Sequence, residues 1–136
     1  MGCNMDFNKI HKLLDDPAHL CTLSTVSADG TPNSAVFGSV RLHAEDIVVG
    51  LGENHTLRNL RQNPKAMLML MVPGASVMNF RGLRVYLECR SIENSGEVLE
   101  QIKDDTRKHA GRAAAQMLKY AVTFTICSSR PLLEMG

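Results

Sequence analysis

Residues 47–64, IVVGLGENHTLRNLRQNP, hold the chain's densest grouping of side chains suited to an anionic ligand. Ile47, Val48 and Val49 form a short β-type run that passes through Gly50 and Gly52. The run enters a helical segment carrying Thr56, Arg58, Asn59 and Arg61, and Asn63-Pro64 stops it. A strand that feeds a helix through glycines aims several backbone N–H groups at one point, which suits a phosphate. Arg58 falls in the first turn, where a cation opposes the helix macrodipole, so a nearby anion would make electrostatic sense of it. The same pattern describes an ordinary strand-to-helix connection with solvated arginines, and the stretch alone leaves both readings open.

A second candidate lies upstream. Residues 33–39, NSAVFGS, set small side chains beside one aromatic, Phe37, so that a flat ligand could lie against the backbone. A bulge at Gly38 with Phe37 in the core is the competing reading. Other chemistries find little support. There is no GxSxG, and Cys21, Cys89 and Cys127 each fall within a predicted strand, as buried inert thiols do. Asp15-Asp16 and Asp104-Asp105 sit at predicted helix ends and read as solvated surface carboxylates. The GLGEN segment lacks the third glycine of a dinucleotide fingerprint and the Lys-Ser/Thr of a P-loop. Four cysteines without a CxxC pair and five histidines without ligand spacing predict no metal site, and free thiols in a reducing cytoplasm.

The elements that must position these residues follow from hydrophobic period and turn chemistry. Phe7, Ile10, Leu13 and Leu14 share one face of a first helix over 6–16, with Asp6 as its N-cap and Pro17 beyond its end. Residues 20–27 read as a strand, Ala28-Asp29-Gly30 as a turn, and 33–43 as a second long extended run. Residues 46–51 form the third strand. After a helix over 56–62, the apolar run 65–72 predicts a strand buried on both sides. Residues 83–90 alternate as a half-buried strand, Asn94 and Glu97 make a capping box opening a helix, and 104–116 read as helix end and connection. Residues 121–127 form a last strand. About six strands with early hairpins favour an antiparallel barrel with peripheral helices over a parallel βαβ sheet.

With 136 residues, the chain is long enough for one domain, residues 1–136, with a real core. A formal net charge of +1 and an absence of Trp argue against a nucleic-acid surface built from bulk charge or base stacking. No segment approaches the roughly 18 consecutive apolar residues of a membrane span. The N-terminus has no secretory signal pattern, and Asp6 departs from the myristoylation pattern that Gly2 would need.

The pattern STVSADGTPNSAVFGSV, then EDIVVGLGENHTLRNLRQNP with an apolar strand after it, resembles the pyridoxamine 5'-phosphate oxidase-like FMN-binding split barrels, in particular the small FMN-binding members from anaerobes. GLRVYLECRSI and KYAVTFTICSSRPL fit the family's order of elements, so the resemblance covers roughly residues 7–130. It implies a mainly β (α+β) fold, a six-stranded antiparallel split β-barrel with peripheral helices. It also implies a homodimer with FMN at the interface. The family's phosphate-holding positions fall on His55 and Thr56, with Arg58 and Asn59 adjacent. Its strand facing the flavin ring falls on Ser34, Ala35, Val36 and Phe37, and Gly50, Leu51 and Gly52 line the ribityl chain and ring edge. Two departures matter. His55 stands where many relatives carry Lys or Arg, implying a weaker, pH-dependent contact. The C-terminal extension that grips substrate in pyridoxal-phosphate-forming oxidases is lacking after Pro131, which speaks against B6 vitamer oxidation. The expected function is a flavin-dependent oxidoreductase with a small-molecule or protein redox partner. A non-catalytic electron carrier is the alternative, and a split barrel holding a deazaflavin or haem is a third reading.

Overall fold

In a computed structural model describing residues 7–134, helix α1 (Phe7–Asp15) precedes strands β1 (Leu20–Val26), β2 (Pro32–Val36), β3 (Val40–His43) and β4 (Asp46–Leu51). Helix α2 (His55–Gln62) leads to β5 (Lys65–Val72) and β6 (Arg81–Glu93). Helices α3 (Glu97–Ala110) and α4 (Arg112–Met117) precede β7 (Tyr120–Pro131). All pairings are antiparallel, in the order β2-β1-β5-β6-β7-β4-β3. The expected N-cap Asp6, together with Gly2 and Cys3, lies outside the described residues.

The strand count is seven rather than six because the expected run over 33–43 divides. β2 pairs with β1, and β3 pairs with β4, at opposite edges of the sheet. Phe37, Gly38 and Ser39 carry the chain from one edge to the other. Phe37 N–H donates to Cys21 O at 3.0 Å and Gly50 N–H donates to Ser39 O at 3.3 Å, so each half extends its own ladder. One bent ribbon thus joins both edges and curls the sheet into the split barrel, with β2 and β3 as its two edge strands.

The barrel interior holds Leu23, Ile47, Val49, Leu68, Leu70, Val85, Val122 and Phe124, and Ile10 and Leu13 of α1 join the same cluster. A second, smaller cluster lies outside the barrel, where Leu99 and Ile102 of α3 pack on Val48 and Ala121. β4 is therefore buried on both faces, as its Ile-Val-Val run requires. β5, expected to be buried on both sides, is not. Leu68, Leu70 and Val72 point inward, while Met67, Met69 and Met71 lie half-buried on the outer face, because α3 covers β4 and β7 and leaves β5 uncovered.

Two helical expectations also change. α3 starts after Gly96, with no side-chain cap bond, so the Asn94–Glu97 capping box does not form. Residues 104–116 are helical almost throughout. The only interruption is Gly111, whose φ of +95° ends α3 and starts α4. A side chain other than glycine is strained in that region of backbone space.

Candidate functional site

β4 delivers the chain to α2 through Gly50 and Gly52, and the space beside both glycines is taken by the protein itself. A Cβ on Gly50 would stand 2.8 Å from Ile102 Cγ2, and one on Gly52 would stand 2.6 Å from Met117 O. These glycines therefore let α3 and α4 close onto the strand. α2 then begins at Asn54, whose side-chain Oδ1 accepts from Leu57 N–H at 2.9 Å. That bond satisfies one of the helix's orphan donors.

Between the packed helices and the strands lies an open groove of about 790 Å³. One wall comes from Val36 through Arg41 and from Gly50 and the Gly52–Asn54 turn. The other comes from Ile102, Thr106 and His109 of α3 and from α4 and its exit, Met117 and Lys119. A mostly apolar groove of this size with a few polar groups has the character of a small-molecule or cofactor site. Ser39 Oγ donates to Gly50 O at 2.9 Å and fixes the ribbon against β4 at its floor.

The groove's two carboxylates are each paired with an arginine. Arg41 of β3 reaches across to Asp105 of α3 at 2.6 Å and bridges the two walls. Glu53 accepts from Tyr120 Oη at 2.5 Å and pairs with Arg61 at 3.4 Å, and the Arg61 guanidinium lies 5.2 Å from the Tyr120 ring centroid. The Tyr120 hydroxyl, followed by Arg61, holds the Glu53 carboxyl below its ordinary value. His109 Nδ1 lies 2.8 Å from Asp105 O; a carbonyl only accepts, so Nδ1 carries the proton and Nε2 is left for a ligand.

Of the residues singled out from sequence, the groove gathers Val36, Phe37, Gly50 and Gly52. Ser34 stands on the exposed face of β2, 2.5 Å from Ser24 Oγ, and Ala35 is half-buried on the opposite face. Leu51 is in the barrel core, although its carbonyl accepts from Lys119 N–H at 2.9 Å. The four residues read as phosphate contacts do not line this groove. His55 faces a separate hollow with Ser27, Asp29, Thr31 and Gln62, and Arg58 is exposed. Thr56 and Asn59 point into the protein. Asn59 Nδ2 donates to Thr25 Oγ1 at 3.1 Å with both residues buried, tying α2 to β1.

The helical wall was not read from the sequence. Its signal was present: Asp105 or Thr106, then His109 or Ala110, continue the helical spacing from Ile102. The polar run over 104–109 hid it. Among the described residues no cluster of three His, Cys, Asp or Glu could hold a metal ion, and no helix is long and apolar enough to cross a membrane. Cys21 is buried in β1, where desolvation pushes its thiol up to about 12, as an inert core residue requires.

The sequence model of the pyridoxamine 5'-phosphate oxidase family matches residues 9–128. The chain belongs to that family. Among solved structures, an FMN-binding protein from Syntrophomonas wolfei is similar at 24% identity and a TM-score of 0.83, covering 95% of this chain and 87% of that one. HupZ from Group A Streptococcus is similar at 19% identity and a TM-score of 0.74, covering 94% of each chain. HutZ, the heme storage protein from Vibrio cholerae, is similar at 18% identity and a TM-score of 0.65, covering 100% of this chain and 93% of that one. At these identities the likeness is one of fold. No curated protein matches the chain. The family's split-barrel fold is thus common to proteins whose names point to different ligands.

Proposed function

We propose that this chain is an FMN-binding oxidoreductase of its family, working as a cytoplasmic homodimer on a small molecule. The observation that carries the reading is the groove. It is walled by Val36, Phe37, Gly50 and Gly52, the parts of the chain whose sequence resembles the flavin-facing segments of the family. Its residues fit such a guest. The apolar walls suit a flat ring, and its two carboxylates, Glu53 and Asp105, are each neutralised by an arginine. A bound flavin would supply hydride or single-electron chemistry. The chain's own contribution is to exclude water with Phe37, Ile102 and Leu118.

The homodimer is supported by the uncovered outer face of β2, β1 and β5. Val36 is 72% exposed there, and Leu20 and the half-buried Met67, Met69 and Met71 lie on the same side of the sheet. That face adjoins the groove through Val36. A reducing cytoplasm fits Cys21, a buried thiol within β1.

His109 favours a second reading. Its Nε2 is left for a ligand on the groove wall, as a haem site would need, and one structural neighbour carries the name of a heme storage protein. The absorbance spectrum of freshly purified protein, before and after adding FMN or haemin, separates the two. Flavin peaks support the main reading, and a strong haem band supports the second. A colourless protein that takes up neither sinks both. Anaerobic reduction of the FMN-loaded protein by NADH or NADPH, followed by turnover to an acceptor, then distinguishes an enzyme from an electron carrier.

A further inference from the structure

Arg84 of β6 and Arg130 of β7 stand directly opposite one another in the sheet, and neither lines the groove. Leu83 and Val85 on either side of Arg84 are buried in the barrel, so Arg84 points to the outer face. Like charges placed directly across a strand pair repel, and the two guanidinium groups need an anion between them. Glu134, in the stretch after β7, supplies it, its Oε1 meeting Nη2 of both arginines. Arg84 is also pinned by its Nε, which donates to Pro131 O at 3.0 Å, and Tyr86 on the same face of β6 hydrogen-bonds Arg130. The arrangement is incomplete. Among the described residues Glu134 is the only carboxylate paired with either arginine, so one negative charge faces two positive ones through a single shared oxygen. Arg84 Nη2 is buried, and its contact with Glu134 is one of charge without hydrogen-bond geometry. A buried donor in that position calls for a better-placed acceptor. The Glu134 side chain is 44% exposed and can swing away without disturbing the core.

We propose that Arg84 and Arg130 form an anion site on the outer face of the sheet, that its ligand is a doubly charged phosphoryl group, and that Glu134 is the internal group this ligand displaces. A tetrahedral dianion matches two positive charges with two negative ones. It also offers each planar guanidinium an oxygen of its own, which the single oxygen of Glu134 does not. Arg84 is already held in place by Pro131 O, so little side-chain freedom is lost when the ligand binds. The site lies on β6 and β7, outside the groove, and stands apart from the flavin reading.

The test is a calorimetric titration with inorganic phosphate at mildly alkaline pH and fixed ionic strength, with acetate as the singly charged comparison. Wild type, Arg130→Met and Glu134→Gln are compared, and thermal melts verify that each variant folds. Wild type should bind phosphate, and Arg130→Met should bind it about tenfold or more weaker, since one charge-assisted contact is worth about that much. Glu134→Gln removes the competitor from outside the sheet and should tighten phosphate binding several-fold, with acetate well behind phosphate. Phosphate binding that is unchanged in Arg130→Met puts the ion elsewhere on the protein and overturns the inference. So does a wild type that binds no phosphate, and so does binding confined to Glu134→Gln, which would make Glu134 a permanent partner of the arginines. Acetate that binds Glu134→Gln as tightly as phosphate overturns the assignment of a doubly charged ligand.

Discussion

Asn59 shows how far a residue's type can mislead about its role. An Asn beside Thr56 and Arg58 on a short helix reads as a polar ligand contact, yet its amide is spent on Thr25 inside the protein. Nothing in the local pattern distinguishes the two uses; the helix's rotation against β1 does. Glu53 is the opposite case. It attracted no interest as a single carboxylate, and it proves to be the centre of a cluster with Tyr120 and Arg61 that ties the β4–α2 turn to β7. Since Glu53's folded pKa lies below its ordinary 4.5, the cluster contributes stability above the unfolded value, and the contribution is lost as pH falls through the lowered folded value. Tyr120→Phe removes the main cause of the lowering. The variant should be less stable than wild type at neutral pH, and the gap should close at acid pH, once Glu53 is protonated in both. Urea midpoints at the two pH values measure this, and a gap that is the same at both would show that the hydroxyl's contribution does not run through Glu53.

At the scale of elements, the β4–α2 passage keeps its place at the centre of the site but for a different reason. Its glycines suggested a backbone cradle for phosphate. They are needed first because Ile102 and Met117 sit where side chains would stand. At Gly50 the obstacle is a side-chain methyl, whereas at Gly52 it is a backbone carbonyl that cannot turn aside. Gly52→Ala should therefore cost about 1–3 kcal/mol of stability through overpacking. It should also narrow the groove at the Lys119 end, which chemical denaturation and a flavin titration would both register. Full stability in Gly52→Ala would mean that α4 is free to retreat from β4. The elements themselves were largely legible. The periods of α1, β1, β4 and α2, and the Pro and Gly that punctuate them, are local properties. The division of 33–43 into β2 and β3 was not legible, because both halves are extended and only their partners differ.

For the whole molecule, the outer face of β2, β1 and β5 carries apolar side chains with no cover from the chain's own helices. An aliphatic residue 72% exposed at the mouth of a groove is well placed for a second copy, and Val36 is that residue. Val36→Asp should leave the barrel folded, because the side chain is outside the core, yet shift the protein from dimer to monomer in size-exclusion chromatography with light scattering. It should also weaken FMN uptake if the groove is completed across the interface. A wild-type protein that is monomeric throughout would remove the homodimer, and a variant that stays dimeric would move the interface to another face.

What the sequence determined by itself is what depends on near neighbours along the chain: strand and helix periods, the Ala28–Gly30 turn, the stop at Asn63-Pro64, and the family pattern those elements compose. The tertiary structure decided what depends on residues far apart. It made Leu51 core, turned Thr56 and Asn59 inward, divided one extended run between two edges of a sheet, and brought His109 and Lys119 to the groove beside Gly52. A side chain's exposure and charge balance are set by whatever packs across from it. For this groove the opposite wall is α3 and α4, far along the chain from β3 and β4, which they face.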